Sequence, residues 1–416
     1  MPYKTNRPMK DSGIEWIGEI PENWDLPKVK QLFYIGRGRV ISQLDLEGSG
    51  YPVYSSQTKN NGCLGYIKTY DFDRSQLTWT TDGANAGTVF LREGKHNCTN
   101  VCGTLMPKTE NNNLVFLKFA LEYIATFHKR ADINGYKIMN NEMAEIRVVL
   151  PPLEEQKKMA DFLDKKCSRI DSVLDKTKAS IEEYKKLKQA VITQAVTKGI
   201  RPNRPMKDSG IEWIGEIPEG WGISKIKFVS HFNPQYTIVP HEGDVVTFAP
   251  MDCIKNGYYI NKESVYNKAN SSYTPFQEGD IVMAKVTPCF ENGNIAIMAG
   301  LSSGYGYGSS ELFVLRPKNI NTKFLFYYLQ NQMFKKLACS TMTGTGGLKR
   351  VSPVFVQNCS ITIPIKTEQE EIADYLDIKC AEIDKLIEKK EQLISELETY
   401  KKSLIYEYVT GKKEVC

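Results

Sequence analysis

The sixteen residues RPMKDSGIEWIGEIPE stand twice in this chain without a change, as Arg7–Glu22 and again as Arg204–Glu219, 197 positions further on. Each copy is followed, after one intervening residue, by a tryptophan, Trp24 or Trp221. Self-similarity at a fixed offset marks a chain assembled from two like halves, so the fold needs a twofold plan and the function is expected to be something done twice. A second pair of segments obeys the same plan. LEEQKKMADFLDKKCSRIDSVLDK, from Leu153, returns 213 positions on as KTEQEEIADYLDIKCAEIDKLIEK, keeping Glu155-Gln156, Asp161, Leu163-Asp164, Lys166-Cys167 and Ile170-Asp171. Between the repeated segments, residues 34–150 and 230–363 show only faint similarity.

The C-terminal repeats carry helix signals. After Pro151-Pro152, which stops a preceding strand and opens a helix, no Pro or Gly occurs until Gly199. Apolar or small residues at Ala160, Leu163, Cys167, Ile170, Leu174, Ile181, Tyr184, Val191 and Ala195 follow a three-four spacing, as do Ala373, Leu376, Cys380, Ile383, Ile387, Ile394, Leu397, Leu404 and Tyr408. That spacing is the seam of a coiled coil, and a helix of this length extends roughly 65 Å. Two such stripes in one chain are best buried against each other, antiparallel because a whole domain connects them. Packing onto their own domains, or pairing between chains, is the alternative. Lys188 and Lys401 fall at corresponding seam positions and are expected to snorkel their charge to solvent.

The divergent blocks read as α/β with much β. Gln76–Thr81, Gly87–Leu91, Asp280–Val286 and Leu312–Leu315 carry β-branched and aromatic residues between Gly, Asn and Asp clusters. A helix is predicted to follow in each block, from Leu114 and from Lys323. The chain of 416 residues exceeds one ordinary core. No apolar run approaches a membrane span, and the polar opening MPYKTNRPMKDSG gives no sign of export, which points to the cytoplasm. Ten scattered cysteines without CxxC pairs fit reduced thiols. A net charge of +5 permits nucleic acid as a partner, provided that the basic residues cluster or another chain supplies part of the grip.

Several motifs invite chemistry. Asn233-Pro234-Gln235-Tyr236 is similar to the Asn-Pro-Pro-Tyr motif of adenine methyltransferases, but no Gly-rich cofactor turn accompanies it, and Asn-Pro favours a plain turn. TGTGGLKR, from Thr343, lacks phosphate-loop spacing; it and NGYKIMNN, at a comparable place in the first block, are loops that either follow DNA or form surface turns. His96, Cys98 and Cys102 do not make four zinc ligands. No catalytic residue and no metal site is assigned.

The candidates for base reading lie in turn-rich polar stretches: Asp82 and Asn85, Asn97 and Asn100, Asn292 and Asn294, and Tyr305, Tyr307 and Ser309. Such side chains can match donor and acceptor patterns in the major groove. Lys59, Arg74, Arg92, Lys95, Lys285, Lys349 and Arg350 are candidates for phosphate contacts, and Lys137 joins them from the NGYKIMNN loop.

With MKDSGIEWIGEIPENW and its second copy, PPLEEQ and TEQEEIADYLD before the long helices, and AVTKG and YVTGK at their ends, the chain resembles the specificity subunits of type I restriction-modification systems over essentially its whole length. The second copy's PIKTEQ departs from the usual Pro-Pro-Leu opening, a difference confined to the helix cap. The resemblance implies an α+β fold. Two α/β target recognition domains, 1–150 and 200–363, would be separated by long antiparallel coiled-coil helices in 151–199 and 364–416, with a pseudo-twofold internal repeat. Each domain would read one half of a bipartite double-stranded DNA target. It also implies two modification subunits that bind S-adenosylmethionine and methylate adenine, and restriction subunits that use ATP and Mg²⁺ to translocate and cut. This non-enzymatic chain would bind no cofactor itself, in a bacterial or archaeal cytoplasm. The rival readings are an adenine methyltransferase using Asn233–Tyr236 and a coiled-coil scaffold without a DNA role.

Identity across both copies rules the repeated motif out of base reading, since one sequence cannot recognise two different half-sites. It is expected to dock a common partner or to brace a helix junction, with Asp11, Trp16, Asp208 and Trp213 as the candidate partner-binding residues.

Overall fold

The computed structural model describes residues 7–133, 135–237, 240–267, 272–345 and 347–415. The chain divides into two compact units, Met1–Lys178 with Glu391–Cys416, and Ala179–Lys390. The long helices run from Leu153 to Lys198 and from Lys366 to Val409, so each contributes one stretch to each unit.

In the first unit, a four-stranded antiparallel sheet has the order Phe33–Arg37, Cys102–Pro107, Gln76–Thr80, Val89–Arg92. A second sheet has the order Cys63–Ile67, Tyr51–Tyr54, Lys95–Cys98, Phe72–Asp73, with one parallel pairing between Tyr51–Tyr54 and Lys95–Cys98. Leu77 and Trp79 alternate with Thr78 along their strand. They join Phe116, Leu117, Ala120 and Ile124 of the helix Leu114–His128, together with Leu163 and Cys167 of the first long helix, in one core.

The second unit repeats this plan. Its first sheet has the order Ser230–Phe232, Leu312–Pro317, Ile281–Ala284, Ile295–Ile297. The other has the order Glu263–Val265, Val245–Ala249, Tyr305–Gly308, Thr274–Gln277, again with one parallel pairing, between Val245–Ala249 and Tyr305–Gly308. Two blocks of scarcely related sequence therefore share one strand order. What fills the space between their sheets differs. In the second unit it is apolar, with Ala249 and Phe276 against Val282, Ala296, Leu312 and Val314. In the first unit Gln76, Thr78, Arg92 and His96 are all buried there, with His96 meeting Gln76 and Arg92 meeting Thr78.

The helix predicted from Lys323 is in fact two, Thr322–Gln330 and Gln332–Ser340. Asn331 breaks it: its Oδ1 accepts from the Phe334 amide at 2.8 Å and so caps the second piece, while its Nδ2 donates to the Tyr328 carbonyl at 2.6 Å.

Within each unit the two helix stretches pair antiparallel. In the first, Lys401 reaches Asp171 at 2.6 and 2.8 Å, and Lys178 lies 3.8 Å from Glu398, so numbers rise on one helix as they fall on the other. In the second, Lys188 reaches Asp384 at 2.7 Å. The two seam lysines thus do more than snorkel: each ends on an aspartate of the facing helix.

Candidate nucleic-acid interface

The repeated segments meet one another at a junction inside each unit. The motif folds as a hairpin, Met9–Asp11 against Glu19–Pro21 and Met206–Asp208 against Glu216–Pro218. Asp11 and Asp208 each accept from the amide two residues on, at 3.0 Å, which fixes the turn. Arg7 donates to Glu155 at 2.6 Å, and the Trp24 indole donates to the same carboxylate at 3.3 Å. Arg204 and the Trp221 indole, the latter at 2.8 Å, grip Glu368 in the same way. Burial opposes the charged form of Glu368, but Arg204 and Trp221 hold its carboxyl below the ordinary range.

The neighbouring glutamines complete the joint. Gln156 accepts from the Asn113 amide at 2.9 Å and donates to the Pro151 carbonyl at 2.8 Å, and Gln369 does the same for Asn321 and Pro364 at 2.8 and 2.9 Å. The end of the other long helix closes each junction. Lys412 donates to the Glu19 carbonyl, and Lys198 donates to the Glu216 and Ile214 carbonyls. The recurring Glu-Gln pair was visible in the sequence, but its partners were not.

Trp16 and Trp213 are half-buried within their own units. Trp16 stacks on Phe127 with ring centroids 4.3 Å apart, and Trp213 lies 6.1 Å from Tyr328. The duplicated motif is therefore first a brace for the helix ends.

The sequence-selected polar residues separate into surface and interior. Three are internal. Arg92 is 1% exposed and donates to Thr78 and to the Asn61 carbonyl; Asn97 is 0% exposed and donates to the Thr69 carbonyl at 2.8 Å; Tyr307, 4% exposed, donates its hydroxyl to Ser264 at 2.9 Å. All three side chains are buried, Arg92 facing the second sheet and Asn97 and Tyr307 covered on the other face of their strands, so none presents its side chain to a duplex.

The rest are exposed or half-exposed. Lys59, Arg74, Lys95 and Asn100 are exposed, and Lys95 lies 4.5 Å above the Tyr70 ring. Asn85 sits 3.5 Å from the Thr58 hydroxyl, which brings the Lys59 turn beside the Asp82–Gly83 strand. That strand pairs with Gly135–Lys137, and Lys137 binds Asp132 at 2.6 Å.

In the second unit Val286 pairs with Arg350, so the loop reaching Arg350 meets the continuation of the corresponding strand. There Arg350 clasps Glu311 with two hydrogen bonds of 2.8 and 2.9 Å, Lys285 lies 3.9 Å from the same carboxylate, and Ser309 caps the Glu311 amide at 3.2 Å. The Arg350 guanidinium holds the Glu311 carboxyl below its ordinary range. Lys349 and Asn292 are exposed, and Tyr305 and Asn294 half-exposed. Asn134 and Gly346, within the two loops, lie outside the described residues. Lys59, Asn85 and Lys137 in the first unit, and Lys285, Ser309, Lys349 and Arg350 in the second, thus gather where a loop meets the continuation of the same strand, while Arg74 and Lys95 lie at that strand's other end.

His96 stands away from this surface. Its Nδ1 lies 2.8 Å from the Gly94 carbonyl, so it carries the proton there, and Nε2 accepts from the Gln76 amide at 2.9 Å. Burial holds the imidazole below its ordinary range; the Gly94 carbonyl opposes this, Arg92 reinforces it and Asp71 opposes it. The unfolded chain takes up a proton near pH 6.5 while the folded chain resists it, so this stability is whole above that pH and is lost as pH falls below it, by at most about 1.4 kcal/mol per pH unit. Thermal melts at pH 7.5 and 5.5 should show an acid-induced fall that shrinks in His96→Gln; an equal fall in both proteins would refute this assignment.

Asn233 is equally committed. Its Oδ1 accepts from the Val314 amide at 2.9 Å and its own amide donates to the Val314 carbonyl at 2.7 Å, while the Tyr236 hydroxyl donates to the Gly306 carbonyl at 2.9 Å. This is a turn against a strand, with the side-chain oxygen and backbone amide of an exposed asparagine both tied to Val314. Among the described residues no helix is long and apolar enough to cross a membrane.

The model of the type I restriction modification DNA specificity domain matches residues 21–183 and again residues 218–399. The chain belongs to this family. Among curated relatives it is 27% identical to the type I restriction enzyme MjaVIII specificity subunit of Methanocaldococcus jannaschii, over 95% of this chain and 94% of that protein. It is 34% identical over 187 residues to the EcoEI specificity subunit of Escherichia coli, a match covering 43% of this chain and 31% of that one. The EcoAI specificity subunit is 36% identical over 179 residues, so this chain spans less than a third of the length of either Escherichia coli relative. A solved chain from work on complex assembly and conformational transition of the type I R-M system has the same fold, with a TM-score of 0.67 and 15% identity over 95% of this chain and 99% of that one. The two specificity-domain matches coincide with the two copies of the plan described above.

Proposed function

We propose that this member of the specificity family is the DNA-recognition subunit of a type I restriction-modification complex, each two-sheet block reading one half of a bipartite double-stranded target. One observation carries the reading. Two specificity-domain matches fall on blocks of identical strand order whose exposed polar residues differ, the pattern expected when one scaffold serves two unlike half-sites. Exposed Lys59, Lys95 and Lys349 suit phosphates, and Asn85, Asn100, Asn292 and Ser309 suit base edges or the backbone beside them.

The duplicated junctions present matching surfaces to two modification subunits, each directed at an adenine of its half-site. Restriction subunits complete the assembly. S-adenosylmethionine, ATP and Mg²⁺ belong to those partners, and the complex works in a bacterial or archaeal cytoplasm.

Exchange of residues 34–150 for the corresponding block of a relative tests this reading. Methylome sequencing of a strain carrying the hybrid should find one half of the modified sequence replaced and the other retained. Alteration of both halves, or of neither, would sink it.

A further inference from the structure

Arg92 closes the edge strand of the first unit's main sheet and is 1% exposed. Its Nε donates to the Thr78 hydroxyl at 3.1 Å and its Nη1 to the Asn61 carbonyl at 2.7 Å. The guanidinium lies 3.6 Å above the Tyr54 ring and 4.3 Å from that of Phe90, and among the described residues it forms no ion pair with a carboxylate. A cation buried without a carboxylate is an expensive core residue, only partly compensated by aromatic faces. The second unit dispenses with it. There Met298, fully buried, donates its amide to the Asp280 carbonyl beside the matching strand and fills the corresponding place.

Arg92 ties the middle of the turn Lys59–Gly62 at the Asn61 carbonyl, while the Ser55 amide holds its end at the Gly62 carbonyl at 3.0 Å. Asn60, Asn61 and Gly62 have φ of 50°, 51° and 78°, three consecutive left-handed residues, a conformation that persists only where its surroundings hold it. A Cβ at Gly62 would lie 2.8 Å from Arg92 Nη2, so guanidinium and turn are in close contact. On its outer side the turn exposes Lys59, Asn60 and Asn61, next to Thr58 and Asn85.

We propose that Arg92 is a positioning residue for half-site recognition: it does not touch DNA, but fixes the Lys59–Gly62 turn so that Lys59 and the two asparagines face the duplex beside Asn85. This rests on the function proposed above, and predicts that the arginine governs fidelity at one half-site only.

The test uses the full chain, expressed with its partner subunits, as Arg92→Met, the second unit's own solution, and as Arg92→Lys. Amide exchange of Asn60–Cys63 should quicken about tenfold in folded Arg92→Met. Methylome sequencing should show modification of sites altered in one half-site rising about fivefold or more, with the other half unchanged. Arg92→Lys, which keeps the charge but cannot bridge Thr78 and Asn61 together, should fall between. If Arg92→Met does not fold, Thr78→Val removes one anchor of the guanidinium and should loosen the same turn and the same half-site. Unchanged exchange at the turn in a folded variant, or equal loss of fidelity in both half-sites, overturns the proposal. A wild-type complex that modifies no two-part sequence would instead refute the proposed function, and the exchange measurement would still decide whether Arg92 holds the turn.

Discussion

Glu368→Ala should cost the second unit about 3–5 kcal/mol, because breaking a buried pair leaves the remaining charge without compensation. Glu368 has a side chain only 5% exposed, and Arg204, which it holds, is 20% exposed. The substitution also removes the acceptor of the buried Trp221 indole. For a domain of this size the melting temperature should drop on the order of 10 °C by calorimetry. Glu155→Ala should do less harm in the first unit, since Glu155 and Arg7 are 23% and 29% exposed and Arg7 keeps a second partner, Glu414, at 2.8 Å. Equal losses at the two junctions would show that solvent access does not set the strength of the clasp.

Asp280→Ala is expected to be comparably severe. The Asp280 side chain is 1% exposed, receives Arg316 Nε and Nη2 at 2.8 and 2.9 Å, and accepts from the Gln277 amide at 2.9 Å. Removing it strands a largely buried guanidinium, again at about 3–5 kcal/mol. Arg316 also donates to the Gln235 carbonyl and the Thr237 hydroxyl, both at 3.2 Å, so amide exchange across Asn233–Thr237 should accelerate beyond the loss of global stability. If exchange there followed global unfolding alone, Arg316 would not be the tie that holds this turn.

The twofold plan, the long helices and most strands of the first sheets were legible because each leaves a periodic or repeated trace. The strand predicted at Gly87–Leu91 lies at Val89–Arg92, and the shift matters, since alternation then puts Phe90 and Arg92 on one face and explains why that arginine points inward. Residue type misled at Asn97 and Tyr307 as well, because polar side chains are usually solvated and nothing local announces the buried partners Thr69 and Ser264. The break at Asn331 left a trace of its own, since the residue can cap a helix as well as sit within one. The junctions were half legible: the repeated Glu155-Gln156 and Glu368-Gln369 stood out, but contacts across some 150 positions are set by tertiary packing that no local pattern encodes.

The paired lysines and aspartates say something about how such a helix is built. Asp171 and Lys188 are 17 positions apart, as are Asp384 and Lys401. On one helix that separation is about 25 Å, too far for the two side chains to meet. Each ion pair exists only because the aspartate of one copy faces the lysine of the other, and the arrangement recurs when the copies are interchanged. That is the logic of an isologous dimer, in which a surface is complementary to itself. The helix is in this sense its own partner, each copy carrying both halves of the same clasp.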